Sequence, residues 1–218
     1  MNLEEYKQIY SESDASPGWD AIDSELLKIY PTQKPKHFAA TPHYSVGGND
    51  PLDGISIYNS SDYIGDYFHI TTYGFSELYY DEESFGQDYS KFGFELSFRV
   101  RPFEFDNEYP YWAINLLQNL ARYVFKSGNW FDEYHYFPAN GPIRLKCDTE
   151  LVALVFVPDK QLQTINSIHG EVKFLQVFGI TQKELQEIES EKINIKYMVR
   201  VFEKDNPMLV TDLCRKDS

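Results

Sequence analysis

The sequence predicts an α+β fold, a mixed and largely antiparallel sheet with helices packed around it. Three observations point there. Phe68, Ile70 and Thr72, then Phe92, Phe94, Leu96 and Phe98, alternate with smaller or polar residues, the period of strands with one face buried. Leu151–Val157 is an unbroken apolar run of strand length, ended by Pro158, which reads as a strand buried on both faces. From Tyr111 the period becomes helical, with Trp112, Leu116, Leu120, Tyr123 and Val124 recurring at three- and four-residue steps.

In chain order, residues 1–15 read as an N-terminal extension, with Leu3 and Tyr6 on one side of a short helix and a break from Ser11 to Ser16. Residues 16–215 read as a single domain. Ser16-Pro17 offers a cap followed by proline at the first helical position, and Trp19, Ile22, Leu26 and Ile29 follow at helical spacing. Tyr30-Pro31 ends that helix. Strands are expected over Phe38–Val46 and Gly54–Tyr58, with dense turn chemistry between them. The two central strands come next, interrupted at Gly74 and Gly93 where a bulge or a close backbone approach is expected. Gly128 stands just past the end of the long helix. Trp130–Asp148 is rich in turn residues and in aromatic rings, which either fold back on the core or line a recognition surface; folding back is the preferred reading. After Leu151–Val157 come a strand over Gly170–Ile180 and the capping box Thr181/Glu184 opening a short helix. An alternating strand over Ile193–Phe202 completes the order β-β-β-β-α-β-β-α-β, with an early helix before it, and Met208–Leu213 reads as a last edge strand.

Composition narrows the function. The 218 residues carry a net charge of −14, with 17 Tyr and 16 Phe. Nucleic-acid binding needs a basic footprint, so a nucleic-acid partner is not expected. A basic protein partner suits this charge, though acidity also serves solubility alone. Cys147 and Cys214 have no C-x-x-C partner and read as free thiols in a reducing compartment. The N-terminus is acidic and lacks an apolar segment, and no apolar run approaches the ~18 residues of a membrane span. The chain therefore reads as cytoplasmic, with no membrane partner.

The residues offer little catalytic chemistry. G-x-S-x-G, H-E-x-x-H, a phosphate loop and a dinucleotide fingerprint are all missing, so no cofactor and no catalytic residue is assigned. Asp50 and Asp53 fail the spacing of a calcium loop and read as turn caps, and no metal site is assigned. His69, within a strand, reads as a structural histidine. Glu77, Asp81 and Glu95 are the acids a carboxylate-dependent hydrolase would use, in a chain where any such pair is mostly coincidence.

One stretch stands out. Ser76–Glu83 packs four carboxylates and two tyrosines into eight residues, between two core strands and with no base among them. It reads either as a solvated acidic turn or as a rigid loop presenting Glu77, Tyr79, Asp81, Glu82 and Glu83 to a partner.

The same region carries a resemblance. Asp50–Asp53, His69-Ile70, Tyr73–Tyr79 and Phe92–Arg99, followed in order by Leu120–Phe125, Phe174–Val177 and Thr211–Leu213, resemble the suppressor of fused family. The resemblance runs from about Gly18 to Arg215 and implies a mixed sheet wrapped by helices and a role in binding rather than catalysis. Animal members sequester transcription factors in hedgehog signalling, and a second domain completes their peptide-binding cleft. This chain resembles only their N-terminal half and is expected to stand alone, as bacterial members do. Those are commonly proposed to be immunity proteins that neutralise toxins by binding them. The resemblance therefore implies a protein partner, a basic toxin, with Tyr79 and Asp81 as contacts and Glu77 behind them. The alternative is a binding module for an endogenous regulatory protein. Tyr80 stands where the animal sequence has glycine.

Overall fold

Alternation along the strands builds a sheet whose two faces differ in chemistry. A computed structural model describes residues 1–11, 15–104, 106 and 108–217. Its elements run α1 (Leu3–Tyr10), α2 (Pro17–Ile29), β1 (Lys36–Ala39), β2 (Gly54–Ser61), β3 (Asp66–Tyr73), β4 (Tyr89–Val100), α3 (Tyr111–Ser127), β5 (Tyr136–Pro138), β6 (Leu151–Pro158), β7 (Ile165–Ser167), β8 (Gly170–Thr181), α4 (Gln182–Glu189) and α5 (Ile195–Asp205). The sheet order is β1-β2-β3-β4-β8-β6-β5, with β7 also on β8. Among the described strands only the central pair β4–β8 is parallel; the other strand pairs are antiparallel. This is the mixed, largely antiparallel α+β arrangement the sequence predicts. The break expected over 11–16 falls partly on residues 12–14, outside the described residues.

Register decides which side chains share a face. Ile70 lies opposite Phe98, Leu96 opposite Leu175, and Phe98 opposite Val177. All of them join Leu117, Leu120, Ala121 and Val124 of α3 in the main core. The alternate residues point the other way. There His69 lies opposite Arg99 and Ser97 opposite Gln176. These are fully buried too, beneath the α2 side of the molecule. The expectation of strands with one buried face is corrected: the polar positions of β3 and β4 face a second interior.

That interior is organised by one ion pair. Arg99 donates to both carboxylate oxygens of Asp159, at 2.7 and 3.0 Å, and to Gln176 Oε1 at 2.6 Å. The Gln161 and Leu162 amides donate to Asp159 Oδ1 at 2.7 and 2.8 Å. Ser97 Oγ also bonds Asp159. Gln176 in turn donates to the carbonyls of Met208 and Leu209, tying down the C-terminal segment. His69 Nδ1 is 2.8 Å from Tyr30 Oη, as befits the structural histidine expected.

His69 supplies a pH prediction. Burial first, then the Arg99 charge, holds its imidazole down at about 4. A histidine in the unfolded chain titrates near ~6.5. Between those values the unfolded chain binds the proton and the folded protein does not. The stabilisation is complete above ~6.5 and is lost as pH falls toward 4, by about 3 kcal/mol. Urea titrations at pH 7 and pH 4 should show a drop of at least that size, flattened in His69→Gln. An unchanged pH slope in that variant would remove His69 from the account.

Several local expectations are met. Thr181 and Glu184 form the capping box of α4, Gly128 takes the left-handed conformation after α3, and Leu151–Val157 is buried on both faces except at Val152. Gly93, at φ 77°, sits where the β4–β8 register shifts. Others are corrected. Among the described residues Ser16 makes no side-chain cap bond. The strand expected over Phe38–Val46 ends at Ala39, because Pro42 brings no N–H for the ladder, and Tyr44–Val46 is a 3₁₀ turn. Ile193–Phe202 is largely α5 rather than a strand. Asn194 caps it by accepting from the Lys196 amide, and Met198 and Val199 form its buried stripe, while Tyr197 and Val201, two members of the apparent alternation, are exposed. Met208–Leu213 makes only an isolated bridge, Thr211 to Val100. The short strands β5 and β7 were not expected. Cys147 and Cys214 are both free.

Candidate protein-interaction site

The loop between β3 and β4 grows from a buried carboxylate. Glu95 accepts from Thr72 Oγ1 at 2.7 Å, from the Gly74 and Ser76 amides at 2.9 Å each, and from Ser76 Oγ at 2.7 Å. Burial pushes its carboxyl up despite the four donors. Glu95 therefore fastens the root of the loop and has no route to a substrate.

Beyond the root, Leu78 drops into the core under α2, and its carbonyl accepts from the Gly18 amide at 3.1 Å. A Cβ on Gly18 would lie 1.9 Å from the Glu77 carbonyl oxygen, so only glycine allows this approach. The Glu77 carboxylate bends back onto the Leu78 and Tyr79 amides, at 3.1 and 3.2 Å.

The middle of the loop is clamped by α1. Asn2 and Glu5 form the capping box that starts this helix. Tyr6 is its one fully buried residue, and its ring stacks on Tyr80 and Phe85 at 5.0 and 4.8 Å. Tyr6 Oη accepts from the Asp81 amide at 3.0 Å and lies 2.8 Å from His169 Nε2. His169 Nδ1 meets the Glu77 carbonyl at 3.1 Å, so Nδ1 carries the proton and Tyr6 donates to Nε2. Burial lowers the His169 pKa, which favours this neutral form. Lys7 pairs with Glu82 at 2.8 Å, and Tyr80 Oη donates to the same carboxylate at 2.7 Å. The loop thus gains a base that its own sequence lacks.

Asp81 turns inward as well. Its carboxylate accepts from the Ser84 amide at 3.1 Å and from Ser84 Oγ, and the latter bond first among causes holds its pKa down. The five sequence-chosen residues therefore separate. Tyr79, 41% exposed, reaches solvent with Glu82 and Glu83, while Glu77 and Asp81 shape the loop that carries them.

Two contiguous hollows adjoin the loop. One, of about 480 Å³, is lined by Asp81, Glu83, Gln87, Asp88, Tyr89 and Lys91. The next, of about 380 Å³, shares Tyr89 and Lys91 and runs on to Phe94, Trp130, Phe131 and Lys173. The aromatic stretch after α3 divides accordingly. Phe131 folds back and stacks on Phe156 at 4.1 Å, as expected, while Trp130 is 62% exposed at the cleft. Sequence reasoning missed Asp88 and Lys91 as lining residues and Tyr6 and His169 as supports, and it preferred folding back for Trp130, which instead follows the surface alternative. The Leu3/Tyr6 stripe was the one available signal. Among the described residues no group of three or more His, Cys, Asp or Glu could hold a metal ion, and no helix is long and apolar enough to cross a membrane.

Comparison with known proteins places this geometry among relatives. Residues 48–216 match the family model described as Suppressor of fused protein (SUFU). The human suppressor of fused homolog is 33% identical over 213 residues, covering 92% of this chain and 44% of that protein. The chain thus spans less than half of that curated relative. The crystal structure of a Sufu–Fu complex superposes with a TM-score of 0.85 at 30% identity, over 94% of this chain and 93% of that one. Drosophila Suppressor of Fused gives 0.84 at 30% identity, over 94% of this chain and 51% of that one. A putative SUFU homolog from Neisseria gonorrhoeae, 16% identical with a TM-score of 0.62 over 92% of this chain and 96% of that one, shares the fold.

Proposed function

The chain belongs to the suppressor of fused family, and from that premise we propose that it is a non-catalytic binding domain for a protein partner. Its recognition surface is centred on Tyr79, Glu82 and Glu83, with Glu77 and Asp81 holding the loop in shape. One observation carries this reading: an acidic, aromatic surface loop is fastened from beneath by buried contacts with Glu95, Gly18, Tyr6 and His169. A loop already ordered loses little entropy on binding. A relative crystallised as a Sufu–Fu complex supports a protein as the ligand.

Within that reading, the partner is a basic toxin, the protein is an immunity protein, and the compartment is the cytoplasm. The net charge of −14 favours a basic surface by complementarity and accelerates encounter. A cytoplasmic regulatory protein is the second reading, supported by the same complex. A carboxylate-dependent hydrolase draws no support from the site, because Glu95 is sealed and Glu77 and Asp81 are engaged by the loop's own amides.

Growth of cells expressing the product of the adjacent gene tests the immunity reading. Co-expression of this chain is expected to restore growth, and the folded double variant Tyr79→Ala, Glu83→Arg is expected to fail. Each substitution should weaken binding by about tenfold or more. Full rescue by the double variant would take the loop out of the interface. A neighbouring product that is harmless alone would leave the regulator as the better reading.

A further inference from the structure

A third hollow, of about 410 Å³, lies between α2 and the β1–β2 edge of the sheet, apart from the loop and its two hollows. It goes beyond the binding function proposed above and does not rest on it. Trp19 and Asp23, one turn apart on α2, point onto the same face. Trp19 stacks on Tyr73 at 4.4 Å and 17°, and its ring meets His37 at 5.3 Å and 60°. Gly54 makes room for this packing, since a Cβ there would lie 2.4 Å from the His37 ring and 2.8 Å from that of Trp19. Tyr58, stacked on Tyr30 at 4.3 Å, contributes a second aromatic wall.

Asp23 is the acidic group of this hollow, and Lys34 in the lining forms no ion pair with it among the described residues. Among the described residues its one hydrogen bond comes from Tyr73 Oη at 2.7 Å, it takes part in no ion pair, and the nearby Asp20 carboxylate adds to its charge rather than balancing it. Burial pushes its carboxyl up, the mark of a carboxylate short of stabilisation. His37 compensates it only weakly: its attraction is the last of the effects on the Asp23 carboxyl, its Nδ1 is bonded to Ser56 Oγ at 3.0 Å, and burial lowers its own pKa. A half-buried carboxylate between aromatic faces attracts a cation that also presents apolar surface.

We propose that this hollow binds an organic cation, an ammonium or guanidinium group on a short apolar stem, with Asp23 as counter-ion and Trp19 and Tyr58 as its walls. Such a group neutralises Asp23 and covers the Trp19 ring in one step. A hydrated inorganic cation could do only the first.

The Trp19 indole N–H resonance, assigned with Trp19→Phe, reports on the site. Agmatine and choline, titrated into the full chain at pH 7, are expected to move it saturably. Asp23→Asn should weaken the interaction by about tenfold. The amide oxygen of that variant can still accept from Tyr73, so its melting temperature should stay close to that of the wild type. A shift that never saturates, or equal affinity in Asp23→Asn, overturns the proposal. So does a resonance that moves on Lys34→Ala but not with either probe, because the Lys34 ammonium lines the same hollow and would then be filling the site from within.

Discussion

Replacing Asp159 by alanine is expected to lower the free energy of unfolding by about 3–5 kcal/mol, read as a shift of the urea midpoint. Arg99 and Asp159 both lie on the sealed side of the sheet, with neither side chain exposed. The Arg99 charge holds the Asp159 carboxyl well below the usual carboxylate range against the opposing effect of burial. Removing the carboxylate leaves a guanidinium in the interior with only Gln176 and Gln161 as acceptors. It also frees the Gln161 and Leu162 amides. Replacing both ions, as Arg99→Met with Asp159→Leu, should recover a good part of the loss, because a buried pair contributes little beyond an apolar pair of similar volume. A single-variant loss under ~1 kcal/mol would mean that water reaches the pair.

Phe94→Ala is expected to lower stability by a comparable amount, about 3–5 kcal/mol. The ring is 2% exposed, within 4.8 Å of Phe75 and 6.3 Å of Phe131. Phe75 follows β3 and Phe131 follows α3, so the cavity would open where the strands, the long helix and the loop root meet. The two effects should add nearly in full, since the side chains lie on opposite faces of the sheet. A melting temperature that does not move in Phe94→Ala would contradict the inward assignment.

The apolar half of the fold was legible in the sequence because it is periodic. Phe94, Leu96 and Phe98 could be placed on one face, and α3 could be placed over them, by counting residues. The polar half was not. His69, Ser97, Arg99 and Gln176 alternate with the core residues just as solvent-facing positions do. Only the cover supplied by α2 and the C-terminal segment turns them inward. A composition of period two cannot tell water from a second interior. The α5 segment failed for a related reason. Ile193, Ile195, Tyr197, Val199 and Val201 satisfy a period of two, yet Ile195, Met198, Val199 and Phe202 satisfy the helical period, and packing against Phe178 selects the helix.

The candidate site was legible as a location and not as a set of roles. Charge and aromatic density singled out residues 76–83. They could not show that Asp81 is spent on Ser84, or that Lys7, far away in sequence, answers Glu82. Nor could they show that Tyr6 and His169 hold the loop's backbone, because that contact joins three segments separated in the chain. The side chains that reach solvent, Tyr79 and Glu83 above all, emerge only when the internal contacts have been subtracted.

The most direct test of the binding account places a photoreactive phenylalanine derivative at single surface positions and cross-links in living cells of the native host that also express the adjacent gene. Position 79 lies on the loop, whereas position 197 carries a still more exposed tyrosine on α5 and serves as the control. A discrete protein adduct is expected from position 79, reduced by Glu83→Arg, and none from position 197. An adduct from position 197 with none from position 79 would contradict the binding account.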